Sequence, residues 1–356
     1  MFTDLTLLCL LESSTIGEVL ALMDQSKLGV ALVVDSEGRL KGVITDGDMR
    51  RAILTHISLE SSTEVILQSK EKSPFAHPIT SAISDDRGTY LELLQKHNIL
   101  HLPILDDTKK VVGLVMLDDF LNGPRHPIHA VIMAGGKGTR LLPLTEGIPK
   151  PMLHVGSRPL LEIIIEQLRN IGVQRVNLTT HHNGDKIFKH FGDGKKFGVE
   201  LNYVTENQPL GTAGGLSLLE PPDHTMLVIN GDILTQVDFK SMLDFHYLHK
   251  ADITIGVKRY DVQVPFGVVE CEGPLVREVS EKPALNLFVN AGIYLLEPMV
   301  YRYLQDGEVC HMTDLIQNLL RDEGKVISFP IHEYWLDIGR PEDYEQAQGY
   351  IRTEEL

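Results

Sequence analysis

M-A-G-G-K-G-T-R-L-L-P-L-T-E-G-I-P-K-P-M, residues 133–152, follows directly on the apolar run I-H-A-V-I-M-A at 128–134. A short apolar run closed by glycines reads as a buried strand. Gly135, Gly136 and Gly138 then form a loop without side chains, which lets backbone N–H groups close on phosphate oxygens. Two commoner phosphate templates do not fit. Leu141 stands where the dinucleotide fingerprint needs a third glycine, and Lys137 precedes Gly138 rather than the Ser or Thr of a P-loop. A glycine pair after a strand is by itself most often a tight turn. Here Arg140, Pro143 and the P-K-P segment at 149–151 share the stretch, so Arg140 and Lys150 stand where the loop would place a triphosphate.

Working outward, the apolar segments V-N-L-T-T (176–180) and T-M-L-V-I-N (225–230) alternate with helical patterns at 159–170 and 238–249. That alternation predicts an α/β domain, a Rossmann-like sheet with covering helices, whose ligands gather beyond the carboxyl ends of the strands. Upstream, N-G-P-R-H-P at 122–127 is a turn-rich connector. The expected division is residues 1–122, a linker at 123–127, and a second domain at 128–356. A chain of 356 residues exceeds what one core usually serves.

The first third repeats itself. G-V-A-L-V-V-D-S-E-G-R-L-K-G-V-I-T-D-G-D (29–48) aligns without a gap to L-H-L-P-I-L-D-D-T-K-K-V-V-G-L-V-M-L-D-D (100–119), so Asp35 and Asp106, Gly42 and Gly113, and Asp48 and Asp119 are each 71 positions apart. Each copy, about 1–60 and 76–122, reads as a helix (16–25; 89–97), a strand, a polar turn, a strand and a second helix.

Composition narrows the function. Against 33 Lys and Arg stand 49 Asp and Glu, a formal charge of −16, which argues against a nucleic-acid backbone as partner. Cys9, Cys271 and Cys310 are odd in number and scattered, so neither a disulfide framework nor a C-x-x-C site is expected. The opening M-F-T-D-L-T-L-L-C-L-L-E lacks a basic flank and is broken by Glu12, unlike a signal peptide. No apolar run has membrane-span length, and a cytoplasmic protein is expected. The pairs His181/His182 and His246/His249 lack the spacing of a zinc site and read as core or surface residues.

Joined together, G-G-x-G-T-R-L-x-P-L-T and P-K-P-M resemble the signature of the sugar-1-phosphate nucleotidyltransferases, and the resemblance runs from about residue 128 to the end. E-N-Q-P-L-G-T-A-G-G (206–215) resembles that family's nucleoside-binding turn. The resemblance implies nucleotide contacts at Ala134, Gly135, Gly136, Gly138, Thr139, Glu206, Pro209, Gly211, Thr212, Gly214 and Gly231. F-G-V-V-E (266–270), E-K-P (281–283) and N-A-G-I-Y (290–294) resemble its sugar pocket, implying Gly267, Glu281, Asn290 and Gly292, with the two glycines leaving room for the ring. N-G-D (230–232) and W-L-D-I-G-R-P (335–341) resemble its metal elements, implying Asp232 and Asp337 as ligands of Mg2+.

The implied reaction suits such residues. A sugar 1-phosphate attacks the α-phosphorus of a nucleoside triphosphate and pyrophosphate leaves. The nucleophile is already ionised, since the second phosphate pKa is roughly 6, so the site must align two anions and offset their repulsion rather than supply a strong base. Arg140 is expected to neutralise the β- and γ-phosphates, Lys150 to reach the α-phosphate, and Lys282 to hold the sugar phosphate.

The two N-terminal copies resemble a pair of CBS domains, modules that commonly bind adenine nucleotides such as AMP or ATP. The pattern G-x-x-T-x-x-D implies adenosine contacts at Gly42, Thr45 and Asp48. Copy two keeps Gly113 and Asp119 but has Met116 in place of the threonine, so copy one is the expected site. A structural or dimerising role for the pair stands beside this reading.

The union of a CBS pair with this catalytic domain further resembles the glucosamine-1-phosphate guanylyltransferases of bacterial legionaminic acid synthesis, which implies GTP as donor. Uridylyl, thymidylyl or guanylyl transfer to glucose or mannose 1-phosphate remains the alternative, and a nucleotide sensor with an inactive transferase domain is the alternative of another class. Both modules resemble families that self-associate, so a homo-oligomer is expected.

Overall fold

The computed structural model describes residues 1–70, 76–120, 128–136, 138–181 and 184–354. The expected linker at 123–127, Lys137 and His182 therefore lie outside the described residues. The chain divides into two compact units, Met1–Arg125 and His126–Leu356.

Unit one runs β1 (Cys9–Leu11), α1 (Ile16–Ser26), β2 (Val30–Val34), β3 (Leu40–Thr45), α2 (Asp46–Leu54), α3 (Thr63–Ser69), β4 (Ser81–Ala82), α4 (Arg87–Lys96), β5 (His101–Leu105) and β6 (Val111–Met116). The sequence repeat is a structural repeat. Sheets β1-β2-β3 and β4-β5-β6 each pair their first two strands parallel and their last two antiparallel. Even the register shift recurs, at Val33/Val34 in one and Ile104/Leu105 in the other. An aspartate follows each of these strands and holds the turn after it. Asp35 accepts from the N–H groups of Glu37 and Arg39 at 2.9 and 3.0 Å, and Asp106 from those of Thr108 and Lys110 at 2.8 and 2.9 Å, so both side chains hold the same turn.

Thr15 caps α1 by accepting from Glu18 N–H at 3.2 Å while the Glu18 side chain accepts from Thr15 N–H at 2.7 Å, a reciprocal arrangement that satisfies two orphan donors. At the equivalent place in copy two, Asp86 accepts from Thr89 N–H at 2.8 Å. This cap starts α4 two residues ahead of the expected position. In copy two the second helix is described only as a 3-10 turn, Leu117–Phe120.

Unit two runs β7 (His129–Met133), β8 (His154–Val155), β9 (Arg158–Pro159), α5 (Leu160–Asn170), β10 (Arg175–Thr180), α6 (Gly184–Phe191), β11 (Glu200–Thr205), α7 (Gly211–Gly214), β12 (Met226–Asn230), β13 (Ile233–Thr235), α8 (Phe239–His249), β14 (Ile253–Gln263), β15 (Val268–Glu272), β16 (Leu275–Ser280), β17 (Ala284–Leu296), α9 (Met312–Arg321), β18 (Val326–Ile331), β19 (Trp335–Asp337) and α10 (Pro341–Glu354). Its main sheet has the order β11-β10-β7-β12-β17-β14-β18. The first four strands are mutually parallel and β17 runs against both its neighbours.

Alternate residues of β7 serve opposite faces of the sheet. Ala130 and Ile132 join the cluster containing Leu161, Leu168 and Met242, whereas Val131 joins the one containing Leu315 and Leu319. Both faces are therefore covered, which is why this strand is apolar throughout. From β7 the chain goes to β10 and β11 on one side and then returns to β12 on the other. The strand order thus reverses between β7 and β12, and a crevice opens beyond their carboxyl ends.

The opposite end of the sheet holds a buried polar network. His246, 1% exposed, is 3.0 Å from Glu297 through Nε2 and 2.7 Å from Thr254 Oγ1 through Nδ1. A carboxylate only accepts, so Nε2 carries the hydrogen, and Thr225 also donates to Glu297. These hydrogen bonds, that from His246 first, hold the Glu297 carboxyl below its ordinary value of 4.5. The stabilisation is therefore present above about pH 4.5 and lost as the pH falls through the lower folded-state value. Glu297→Gln should cost roughly 1–3 kcal/mol at pH 7. Melting temperatures measured from pH 7 down to 3 should converge with those of the wild type at the acid end.

Candidate active site

The glycine loop and Asp232 meet because β7 and β12 are neighbours. Asn230 pairs with Met133, and Gly231 N–H donates to Met133 O at 2.9 Å. A Cβ on Gly231 would stand 3.1 Å from that carbonyl and from Pro151 Cγ, so the two strand ends approach this closely because residue 231 is glycine. Ala134, at the root of the loop, is buried and donates through its N–H to Thr179 O at 2.9 Å. Gly135 and Gly136 follow, and Gly138 adopts φ +62° at the start of the 3-10 turn Thr139–Leu141. Thr145 locks the loop by donating to Gly138 O at 2.7 Å. Leu141 is fully buried beneath it, while Thr139 and Arg140 face solvent.

Lys150 lies in the 3-10 turn Lys150–Met152, between Pro149 and the buried Pro151. Its ammonium pairs with Asp232 and stands 3.7 Å from Asp337 Oδ1. Asp337 arrives by the short antiparallel pair β13–β19, in which it faces Ile233, and Ile338 N–H donates to Asp232 O at 3.0 Å. Desolvation in the crevice, and then the Asp232 charge, raise the Asp337 carboxyl above its ordinary value, whereas Lys150 and Arg140 pull it down. Four of the expected residues, Arg140, Lys150, Asp232 and Asp337, thus act on one point. Asp343 acts on it too, accepting from Gly339 and Arg340 N–H at 3.1 and 2.8 Å. Its i, i+6 separation from Asp337 gave no sequence signal.

Two carboxylates converging on one cation are a donor set for a hard divalent ion that keeps water and phosphate oxygens as its other ligands. Among the described residues no group of three or more His, Cys, Asp or Glu makes a closed metal cage. Two protein carboxylates beside a phosphate loop fit the open kind of site, and the Lys150 ammonium occupies the cationic position between them.

On the neighbouring edge, Glu206 N–H donates to Thr180 O at 2.8 Å, placing a carboxylate that is 5% exposed at the end of β11. Glu206 Oε2 accepts from Leu210 N–H at 3.1 Å. Oε1 faces the glycine corner, 3.5 Å from a Cβ built on Gly135 and 2.8 Å from one on Gly215. His181, which the sequence left without a role, holds this turn by donating from Nδ1 to Glu206 O at 2.9 Å. Pro209 is exposed. The rest of the turn is packed against residues 308–312. Ala213 and Gly214 N–H donate to Cys310 O at 2.9 and 3.0 Å, and Thr212 Oγ1 accepts from Met312 N–H at 2.9 Å. A Cβ on Gly211, whose φ is +83°, would lie 2.5 Å from Cys310 O, and one on Gly214 would lie 2.6 Å from Glu308 O.

The expected sugar residues fall on β17 and at the base of the hairpin β15–β16. Gly267 and Glu281 come together, since a Cβ on the glycine would be 3.2 Å from Glu281 Oε2. Lys282 has φ +46° and its carbonyl accepts from Gln263 Nε2 at 2.6 Å. Asn290 Oδ1 accepts from Gly292 N–H at 3.0 Å. The room expected at Gly292 is taken: a Cβ there would meet Asn230 Nδ2 at 2.5 Å. Among the described residues no ion pair joins Glu281 or Lys282 to the Lys150–Asp232–Asp337 group.

In unit one, Thr45 donates both N–H and Oγ1 to Asp48 Oδ2, at 2.9 and 2.8 Å. Asp48 also pairs with Arg51 at 2.6 Å and Lys70 at 2.8 Å. The space in front of Gly42 is filled by Leu67, 2.4 Å from a built Cβ. The three expected adenosine residues are adjacent, and each is already engaged within the fold.

Two family models match the chain: Nucleotidyl transferase over residues 129–354, and CBS domain over residues 3–55 and 91–125. The mannose-1-phosphate guanylyltransferase of Mycobacterium tuberculosis is 36% identical over 232 residues, 63% of this chain and 64% of that protein. The UTP–glucose-1-phosphate uridylyltransferase of Synechocystis is 32% identical over 252 residues, 64% of each chain. The chain thus spans just under two thirds of the length of these relatives. A Bacillus anthracis structure solved with sucrose, named provisionally as a glucose-1-phosphate thymidylyltransferase, superposes with a TM-score of 0.53 at 25% identity, covering 63% of this chain and 95% of that one.

Proposed function

The chain belongs to the nucleotidyl transferase family, and from that premise we propose that it joins a nucleotide to a sugar 1-phosphate with release of pyrophosphate. The observation that carries this reading is the convergence of Arg140, Lys150, Asp232 and Asp337 beside the glycine loop at the β7–β12 switch point. Backbone N–H groups of Gly135, Gly136, Gly138 and Thr139 cradle the triphosphate, and the Arg140 guanidinium offsets the charge of the departing pyrophosphate. Lys150 leaves the carboxylate pair for the α-phosphate, and Lys282 holds the incoming sugar phosphate in line. Asp232 and Asp337 would hold Mg2+, which would supply neutralisation of phosphate charge.

GTP is the proposed donor. Glu206 supports it, because a carboxylate accepts only. Guanine offers adjacent N1–H and N2–H donors, whereas thymine and uracil offer one N–H between two carbonyls that repel a carboxylate. Mannose-1-phosphate guanylyltransferases among the similar proteins agree with that choice. Glu206→Gln should lower kcat/KM for GTP by roughly 10- to 100-fold, the worth of one good base contact, while kcat/KM for UTP and dTTP holds or rises. An equal loss with all three nucleotides would remove Glu206 from base selection.

For the acceptor, the proposal is glucosamine 1-phosphate, giving GDP-glucosamine for legionaminic acid synthesis. Its support is the CBS pair joined to this domain, together with the exposed Glu281 carboxylate beside Gly267, which suits a 2-ammonium group. Glucose and mannose 1-phosphate are the competing acceptors. Unit one is proposed to bind an adenine nucleotide and adjust the rate, and the working form is proposed to be a homo-oligomer. No described helix is long and apolar enough to cross a membrane.

A further inference from the structure

Three segments meet at the carboxyl edge of the main sheet: the glycine loop after β7, His181 after β10, and the turn that begins at Glu206 after β11. The strand pairing sets this order, since Thr179 pairs with Met133 on one side and Thr180 with Thr205 on the other. His181 is the middle element, half-buried, and it reaches both neighbours. A Cβ built on Gly135 would stand 3.5 Å from His181 Cβ and 3.5 Å from Glu206 Oε1. The histidine and the carboxylate border the same glycine.

The far end of the Glu206 turn is fixed by main chain. Leu210 O accepts from Cys310 N–H at 2.9 Å, and Cys310 O accepts from Ala213 and Gly214 N–H. Asn207, Gln208 and Pro209, in between, are exposed. At the near end, Glu206 N–H donates to Thr180 O, continuing the strand ladder, whereas Glu206 O is held by the imidazole at 2.9 Å. A carbonyl only accepts, so Nδ1 carries the hydrogen. A side chain therefore sets the peptide plane that leads out of Glu206.

We propose that His181 is a positioning residue for base selection, whose Nδ1–H aims the Glu206 carboxylate at the nucleobase. This rests on the reading of Glu206 as the group that selects guanine and adds the residue that orients it. Two parallel N–H to carboxylate bonds demand a fixed geometry, and turning the peptide behind the carboxylate misaligns both. The triphosphate contacts at the glycine loop are shared by every nucleoside triphosphate. Loss of the imidazole donor should hence appear in the choice of base.

Pyrophosphate release by the full chain, with glucosamine, glucose and mannose 1-phosphates supplied together, tests it through the ratio of kcat/KM for GTP to that for UTP. His181→Phe should lower this ratio about 3- to 10-fold, the contribution of one neutral hydrogen bond. His181→Asn, whose amide N–H stands where Nδ1–H does, should restore it to within about twofold. In a Glu206→Gln background, His181→Phe should move the ratio by less than about twofold, because the two residues act on one contact. Thermal melts establish that the variants fold, and His181→Ala, which also removes the donor, carries the test if His181→Phe does not. A merely structural histidine would lower the rates with GTP and UTP alike. An unchanged ratio in His181→Phe, or an effect that adds in full to that of Glu206→Gln, overturns the role of His181 and leaves base reading by Glu206 standing. A ratio unmoved by Glu206→Gln itself overturns both.

Discussion

Asp232→Asn is expected to lower the rate of pyrophosphate release at least about 1,000-fold, the scale on which loss of a preorganised charge acts in such reactions. Asp232 is one of two carboxylates converging on the Lys150 ammonium. An amide keeps its shape and removes its charge, so Mg2+ would be left with Asp337 alone. The fold should survive. Asp232 is 27% exposed, and its main-chain bond to Ile338 N–H does not involve the side chain. Melting within a few degrees of the wild type, alongside the collapse in rate, is therefore the expected pair of results. A rate within tenfold of the wild type would take Asp232 out of the proposed metal site.

The second large effect belongs to stability. Asp48→Ala should cost unit one on the order of 3–5 kcal/mol, as breaking a buried ion pair from one side does. Burial works to raise the Asp48 carboxyl, but Lys70, Thr45 and Arg51 together hold it below its ordinary value of 3.8. The contribution is hence fully present above about pH 4 and fades as the pH falls through the lower folded-state value. Removing the carboxylate leaves the Lys70 ammonium, 15% exposed, without that partner. Adding Lys70→Met should return part of the loss, and a double-mutant cycle on melting temperature reads the coupling directly. If the double variant is less stable than Asp48→Ala alone, the charge-pair account of this cluster is wrong.

Local signals carried most of the architecture into the sequence. Short apolar runs mark β7, β10 and β12 and the polar turns of the repeat mark both hairpins of unit one, whereas the expected start of α4 falls two residues past the one that the Asp86 cap sets. The glycine loop and Asp232 were legible together because each follows a strand and parallel neighbours end at the same edge. What escaped depended on contacts distant in sequence. Lys150 reaches an aspartate 82 positions away, and nothing in P-K-P states that it bridges two carboxylates. Lys70 lies 22 positions from Asp48 and outside the repeat motif, so the motif does not disclose this pairing. The packing of Gly211 and Gly214 on residues 308–310, and of Gly292 on Asn230, likewise gives these glycines structural reasons that spacing alone does not disclose. Glu206 shows the reverse case, a residue found by resemblance whose burial and orientation add a chemical reason for its identity.

The proposed transfer is tested most directly by measuring pyrophosphate release with GTP, UTP or dTTP against glucosamine, glucose and mannose 1-phosphates, with and without Mg2+. The account predicts release only when nucleotide, sugar phosphate and Mg2+ are all present, fastest with GTP and glucosamine 1-phosphate. Release that is independent of the sugar phosphate, or none in any combination from folded protein, would contradict it.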